Sequence, residues 1–169
     1  MGVKGPQAEQ WLRSHSVDVP KDVNAWVCGA DGVLVSRLAR SEFFLEDRFG
    51  GAAVERLRQT LQPGPGVYPV TREDAALVLA GEAATDLLVQ TCNVDFQAWA
   101  PDQQTVVMTS MAGVSVLVLW HPLDGKRCYR IWCDGTVGPY LWETLLAIAR
   151  ELGGAAVGLQ SLFPQLAGA

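Results

Sequence analysis

Apolar residues along the chain follow two periods, which predict a mixture of antiparallel strands and four helices. Strands are expected where short apolar runs end in turn residues, and helices where apolar residues recur every three or four positions. The predicted strands are residues 25–28, 33–38, 41–45, 67–70, 75–80, 105–109, 114–120 and 127–133. The predicted helices are residues 5–12, 50–61, 81–88 and 139–152. This mixture predicts the α+β fold class.

Two stretches of the sequence resemble each other. Gly-Pro-Gln-Ala-Glu-Gln-Trp-Leu at residues 5–12 matches Gly-Glu-Ala-Ala-Thr-Asp-Leu-Leu at residues 81–88, with Gly, Ala and Leu in register. Both stretches continue into strand, glycine turn, strand, strand and helix. Internal repetition on this scale predicts two units packed into one pseudo-symmetric core.

A proline- and glycine-rich stretch, residues 63–66, ends the second predicted helix and marks the seam between the halves. We therefore predict a single domain over residues 1–154, built from repeats at about 1–62 and 67–154. An apolar tail, residues 155–169, follows it.

The first repeat has no long counterpart of the apolar strand at residues 75–80, because only four residues precede its glycine. Val3 is then all that remains of the equivalent strand. We expect a sheet edge there that is exposed or filled by a partner chain. The alternative is a natural start upstream of Met1.

Composition and charge exclude several classes of protein. Of the 169 residues, 49% are hydrophobic and 18% are charged, so a packed core is expected rather than disorder. The formal net charge of −5 argues against a nucleic-acid partner, because phosphate binding needs clustered Lys and Arg. No apolar stretch approaches the ~20 residues of a membrane span, and no signal peptide is visible. We expect a cytoplasmic protein with no membrane partner.

No pattern of residues has the spacing of a metal, nucleotide or hydrolase site. The thiols and imidazoles are scattered at Cys28, Cys92, Cys128, Cys133, His15 and His121. Free, buried cysteines and no metal are therefore expected. The GxGxxG, GxxxxGK[ST] and GxSxG patterns are absent from the sequence. We predict no catalytic residue and no cofactor held by this chain alone.

Two polar residues, Asp95 and His121, are candidates for a catalytic role. Asp95 follows a helix in a predicted loop, and Asp18 holds the matching position of the other repeat, which favours turn capping over catalysis. His121 precedes Pro122 in a predicted hairpin loop, and we expect it to be solvated rather than a general base.

Aromatic residues gather on the last hairpin and the helix after it. Trp and Tyr are enriched at interface hot spots, so the cluster is interpreted as a partner surface, with core packing as the alternative for each residue. The tail adds large apolar side chains that are costly to leave in water. The predicted interface comprises Trp120, Tyr129, Trp132, Tyr140, Trp142, Leu159, Leu162 and Phe163.

The sequence also resembles a known family. Val-x-x-Val-Thr-Arg-Glu-Asp-Ala-Ala-Leu-Val-Leu-Ala-Gly at residues 67–81 resembles the folate-binding aminomethyltransferase superfamily, which includes the glycine-cleavage T-protein. Residues 92–96, the strand at 114–120 and Gly-Pro-Tyr-Leu-Trp-Glu-Thr-Leu at 138–145 are similar to the gamma subunit of heterotetrameric sarcosine oxidase. The chain departs from that family in its short amino terminus and at residues 138–139.

This resemblance implies a fold like the T-protein folate-binding domain and a role as a non-catalytic gamma-type subunit. The complex would be a flavoenzyme that oxidatively demethylates sarcosine or a related N-methyl amino acid, in sarcosine catabolism. Flavins, NAD and folate are then expected in the larger partner subunits. The alternatives are a stand-alone tetrahydrofolate-binding or aminomethyltransferase-like protein, and a small structural protein that forms a homodimer in isolation.

Overall fold

The computed structural model describes residues 1–47, 51–100, 103–122 and 127–158. The strands are β1 (Gly2–Lys4), β2 (Ala25–Cys28), β3 (Leu34–Ala39), β4 (Glu42–Glu46), β5 (Tyr68–Val70), β6 (Asp74–Ala80), β7 (Val106–Met111), β8 (Val114–Trp120) and β9 (Cys128–Asp134). The helices are α1 (Ala8–Ser14), α2 (Ala53–Thr60), α3 (Ala84–Thr91) and α4 (Gly138–Glu151). Two short 3₁₀ turns are Phe96–Ala98 and Gly135–Val137. The predicted α+β class is confirmed.

The chain forms two compact units. The first comprises Met1–Arg72 and Gln104–Val106, and the second comprises Glu73–Gln103 and the described residues from Val107 onward. Strand β5, which the sequence analysis placed beyond the seam, pairs with β1 and therefore belongs to the first unit. The division into repeats at 1–62 and 67–154 stays a prediction.

The first unit contains an antiparallel sheet with the strand order β2-β3-β4-β1-β5. One face of this sheet carries Val35, Phe43 and Leu45, which pack in one core with apolar residues of α1 and α2. The helices contribute Leu12 and Leu57, among others, because their apolar residues recur at helical spacing.

Strand β1 is an interior strand. It pairs with β4 on one side and β5 on the other, and Val3 is completely buried. The terminal ammonium of Met1 donates a hydrogen bond to the Leu45 carbonyl oxygen at 2.8 Å, which extends the ladder by one residue. The prediction of an exposed or partner-filled edge at Val3 is therefore wrong, because β5 of the same unit covers that edge.

The second unit contains an antiparallel sheet with the strand order β6-β9-β8-β7. Val118 and Ile131, which face each other across the β8–β9 ladder, are fully buried with Leu88 of α3 and Leu141 of α4. The other face of the same ladder is also buried at Leu119. This explains why β8 and β9 read as continuous apolar runs rather than as alternating ones.

A glycine in the left-handed region separates the strand from the helix in each unit. Gly5 has a φ of +124° between β1 and α1, and Gly81 has a φ of +117° between β6 and α3. Each helix begins three residues after its glycine, at Ala8 and at Ala84, rather than at the glycine as the sequence analysis expected. Side chains disfavour this backbone region, so both corners select glycine.

The two corners differ in their surroundings, which predicts different costs for alanine. A Cβ on Gly5 would lie 2.3 Å from the Gly66 carbonyl oxygen, whereas a Cβ on Gly81 would meet no heavy atom within 4 Å. Gly81→Ala should lose only the backbone strain, on the order of 1–3 kcal/mol. Gly5→Ala should lose more, because Gly66 must also move. Urea unfolding of both variants measures the difference, and equal losses would contradict this account of the Gly5 corner.

Candidate functional site

Three of the predicted interface residues are buried. Trp120, Tyr129 and Trp132 are 8%, 2% and 3% exposed. The Tyr129 ring contacts the Phe96 ring edge-on, with centroids 5.6 Å apart. These three side chains are therefore not on an exposed surface, which corrects the interpretation from the sequence, because both faces of the β8–β9 ladder are buried. Trp120 and Tyr129 belong to the core of the second unit.

Two other predicted interface residues, Tyr140 and Trp142 of α4, lie on the surface. Their exposed fractions are 55% and 41%, because Leu141 takes the core-facing position between them. The Tyr140 hydroxyl donates to the Ala112 carbonyl oxygen at 3.2 Å, and the Ala112 N–H donates to the Thr91 carbonyl oxygen at 2.7 Å. The Tyr140 hydroxyl is thereby tethered to the β7–β8 turn, which is itself bonded to the end of α3. The remaining predicted residues, Leu159, Leu162 and Phe163, lie outside the described residues.

An apolar groove opens beside these surface residues. It has a volume of about 170 Å³ and is walled by residues 77–80 of β6, by Trp142, Leu146 and Ala149 of α4, and by residues 154–157. Its walls carry no charged side chain. The groove suits an apolar polypeptide segment better than a polar small molecule. The sequence analysis missed it, because it depends on how α4 and the segment after it lie against β6.

His121 lies at the end of β8 and is half-buried rather than solvated, which corrects the expectation from the sequence. Its backbone N–H donates to the Cys128 carbonyl oxygen at 3.0 Å. Burial, together with the positive charge of Arg130, lowers the pKa of the imidazole from 6.5 to about 4. His121 is therefore neutral at physiological pH.

Arg130 is a buried cation that the sequence analysis did not single out. It is 9% exposed in the middle of β9, and its guanidinium lies over the Trp132 ring, 5.2 Å from the ring centroid. A desolvated guanidinium gains from an aromatic face. The signal in the sequence was a single charge inside the apolar run Cys-Tyr-Arg-Ile-Trp-Cys.

Asp95 acts as a turn cap. Its carboxylate accepts a hydrogen bond from the Gln97 N–H at 3.0 Å, at the start of a 3₁₀ turn. Asp134 caps the turn before α4 in the same way, and hydrogen bonds from Thr136 lower the pKa of the Asp134 carboxyl. The predicted turn-capping role is thus confirmed for Asp95, and for Asp18 it stays a prediction.

The four cysteines, all within the described ranges, form no disulfide, and most of them are buried. Cys92, Cys128 and Cys133 are buried, but Cys28 at the end of β2 is exposed, so the expectation of a buried thiol is wrong there. Burial, with Asp74 and Asp134 nearby, raises the pKa of the Cys133 thiol. Within the described residues, no group of three or more His, Cys, Asp or Glu side chains is close enough to hold a metal ion.

No helix in the described ranges is both long enough and apolar enough to cross a membrane.

Comparison with known proteins gives a match at the level of structure. The chain matches a chain of the heterotetrameric sarcosine oxidase from Corynebacterium sp. U-96, solved in complex with pyrrole 2-carboxylate, with a TM-score of 0.69 and 23% sequence identity. The match covers 93% of this chain and 82% of that chain. No protein-family model matches the sequence, and no curated protein matches it. The resemblance to sarcosine oxidase is confirmed by this structural match, which shows a shared fold.

The environment of His121 predicts a pH dependence of stability. Its pKa is lower in the folded chain than the usual 6.5, so the unfolded chain binds a proton first as the pH falls. The contribution of the neutral imidazole is therefore fully present above about pH 6.5 and is lost toward pH 4. His121→Gln should flatten the pH dependence of the unfolding free energy in that window. An NMR titration of the imidazole, assigned with a His15→Gln variant, should give a pKa near 4, and an unshifted His121 would contradict the burial described.

Proposed function

We propose that this chain is a non-catalytic, gamma-type subunit of a heterotetrameric sarcosine oxidase-like flavoenzyme. The complex would oxidatively demethylate sarcosine or a related N-methyl amino acid in the cytoplasm. The observation that carries the proposal is the shared fold, over 93% of this chain, with a chain of a heterotetrameric sarcosine oxidase. Flavins, NAD and folate would be held by the larger partner subunits.

The chemistry of the described residues supports a companion role. The carboxylates of Asp95 and Asp134 are engaged in capping turns. The His121 imidazole is half-buried near the positive charge of Arg130, which keeps it neutral at physiological pH. Asp95, which the sequence offered as a candidate for catalysis, thus has a structural role that accounts for its position.

We also propose that the two units are copies of one repeat, as in the T-protein folate-binding domain that the sequence resembles. The strand order β2-β3-β4-β1 of the first sheet corresponds to β7-β8-β9-β6 of the second. The registers correspond as well. Val3, two residues before Gly5, lies opposite Phe43, and Leu79, two residues before Gly81, lies opposite Tyr129.

The surface around Tyr140 is the proposed site of contact with a larger subunit. A tyrosine with a fixed hydroxyl and an exposed ring loses little side-chain entropy on binding, which is why tyrosine is frequent at interface hot spots. The hydrogen bond from Tyr140 to Ala112 provides this fixation in the free chain. A partner would bury the ring without having to order it.

Assembly can be tested by co-expression with the products of the neighbouring genes and affinity capture through this chain. The proposal predicts that large flavin- and NAD-binding chains are captured in a fixed ratio to it. The contradicting result is a chain that is captured alone and whose tryptophan fluorescence is quenched saturably by tetrahydrofolate. That result would favour the stand-alone folate-binding protein.

A pair of tyrosine variants tests the contact surface. Tyr140→Ser should weaken the affinity for the larger subunits by about tenfold or more, corresponding to a hot-spot loss of more than about 1.4 kcal/mol. Tyr68→Ser is the matched control, because Tyr68 is similarly exposed, at 50%, but lies on β5 of the first unit. Titration of the captured subunits by interferometry measures both affinities. Equal effects of the two variants would contradict the placement of the contact at Tyr140.

A further inference from the structure

The helices of the two units differ in the side chains that they expose. α1 and α2 of the first unit, both described in full, expose no large apolar side chain. In the second unit, α3 exposes Val89, and α4 exposes Tyr140 and Trp142. Exposed apolar side chains that cluster mark a contact surface, so the second unit is the one whose helices are suited to a partner.

Val89 and Tyr140 lie on one surface, because α3 and α4 pack against each other within the second unit. The Tyr140 hydroxyl donates to the Ala112 carbonyl oxygen, and the Ala112 N–H donates to the Thr91 carbonyl oxygen. Thr91 is the last residue of α3 and follows Val89 by two positions. These two hydrogen bonds connect the start of α4 to the end of α3, so the two exposed side chains lie close together.

A carboxylate stands about one helical turn from each of these apolar side chains. Asp86 precedes Val89 by three positions, and Glu143 follows Tyr140 by three, which places each pair on one face of its helix. Asp86 and Glu143 are exposed, and neither forms an ion pair with another described residue. α3 contains no Lys or Arg, and the first in α4 is Arg150, near its end. The exposed apolar side chains are therefore surrounded by negative charge.

The same bias extends over the second part of the sequence. Residues 73–169 contain ten Asp and Glu but only four Lys and Arg, whereas residues 1–72 contain eight and nine. One of the four cations, Arg130, is buried in β9. The net negative charge of the chain therefore comes from the part that forms the second unit. Charge of one sign around a contact surface attracts a partner of opposite charge and repels a second copy of the same surface.

We propose that the surface formed by Asp86, Val89, Gln90, Tyr140 and Glu143 docks onto a positively charged surface of a larger subunit, where Lys and Arg side chains surround an apolar patch. This inference rests on the proposed subunit role and names the chemistry of the partner at that contact. The tethered Tyr140 supplies the apolar centre of the contact, and the carboxylates supply its polar rim. Such a rim accelerates and orients the encounter more than it tightens the final complex.

Association kinetics test the proposal, because rim charges act mainly on the association rate. This chain is immobilised and titrated by interferometry with the larger subunits, which are co-expressed from the neighbouring genes without it. At about 50 mM NaCl, the double variant Asp86→Lys with Glu143→Lys should associate about tenfold more slowly, and its dissociation rate should change much less. At about 500 mM NaCl, the difference from the unsubstituted chain should largely disappear, because salt screens exposed charges.

The matched control is Asp22→Lys with Glu55→Lys, which makes the same change of charge at exposed positions of the first unit. Glu55, like Asp86, lies in the first turn of its helix. The control should associate at nearly the rate of the unsubstituted chain. Asp86→Asn with Glu143→Gln should slow association by a smaller factor, and circular dichroism verifies that every variant is folded.

Three results would overturn the proposal, and they separate it from the subunit role. Unchanged or faster association of the variant at Asp86 and Glu143 contradicts the basic partner surface, while the binding itself leaves the subunit role intact. Equal slowing by the control variant shows an effect of net charge alone and contradicts the placement of the contact. If the larger subunits do not bind the unsubstituted chain at either salt concentration, the subunit role is wrong and this inference is wrong with it.

Discussion

In each unit, the strand that precedes the first helix pairs with a strand far along the chain, and the packed core depends on this pairing. Val3 lies opposite Phe43 in the first unit, and Leu79 lies opposite Tyr129 in the second. Such pairings must recover the entropy lost in closing a long loop. They do so by burying the strand, since Val3 and Phe43 are both almost completely inaccessible to water. The helix that follows each of these strands, α1 in the first unit and α3 in the second, packs in the core of its own unit.

Most strands and helices could be predicted because their signals are local. The apolar stripe of α4 recurs at helical spacing over fourteen residues, and β8 and β9 are each a largely apolar run of seven residues. Strand β1 could not be predicted as an interior strand, because three residues are too few to show alternation. Its burial is determined by β5, which lies far away in sequence. The left-handed corners at Gly5 and Gly81 also delayed both helix starts, which periodicity alone does not reveal.

The candidate site was predictable only in part, because the burial of its residues depends on how distant strands pair. Aromatic content identified the hairpin and helix concerned, but it did not separate core from surface. The sheet register decides that Tyr129 lies in the core, and the position of Leu141 decides that Tyr140 is exposed. His121 was misjudged because its burial and the neighbouring Arg130 arise from the pairing of β8 with β9. The burial of a side chain and the identity of its neighbours depend on which strands pair, and the sequence of one strand does not contain that information.

The central claim is that this fold serves an assembly and carries no reaction of its own. Electron cryomicroscopy of the complex captured through this chain tests it most directly. The account predicts a density map in which Tyr140 is buried against a larger subunit and every cofactor is bound by the other chains. A flavin, nucleotide or folate enclosed by this chain alone, or a Tyr140 ring left in solvent in the assembled complex, would contradict it.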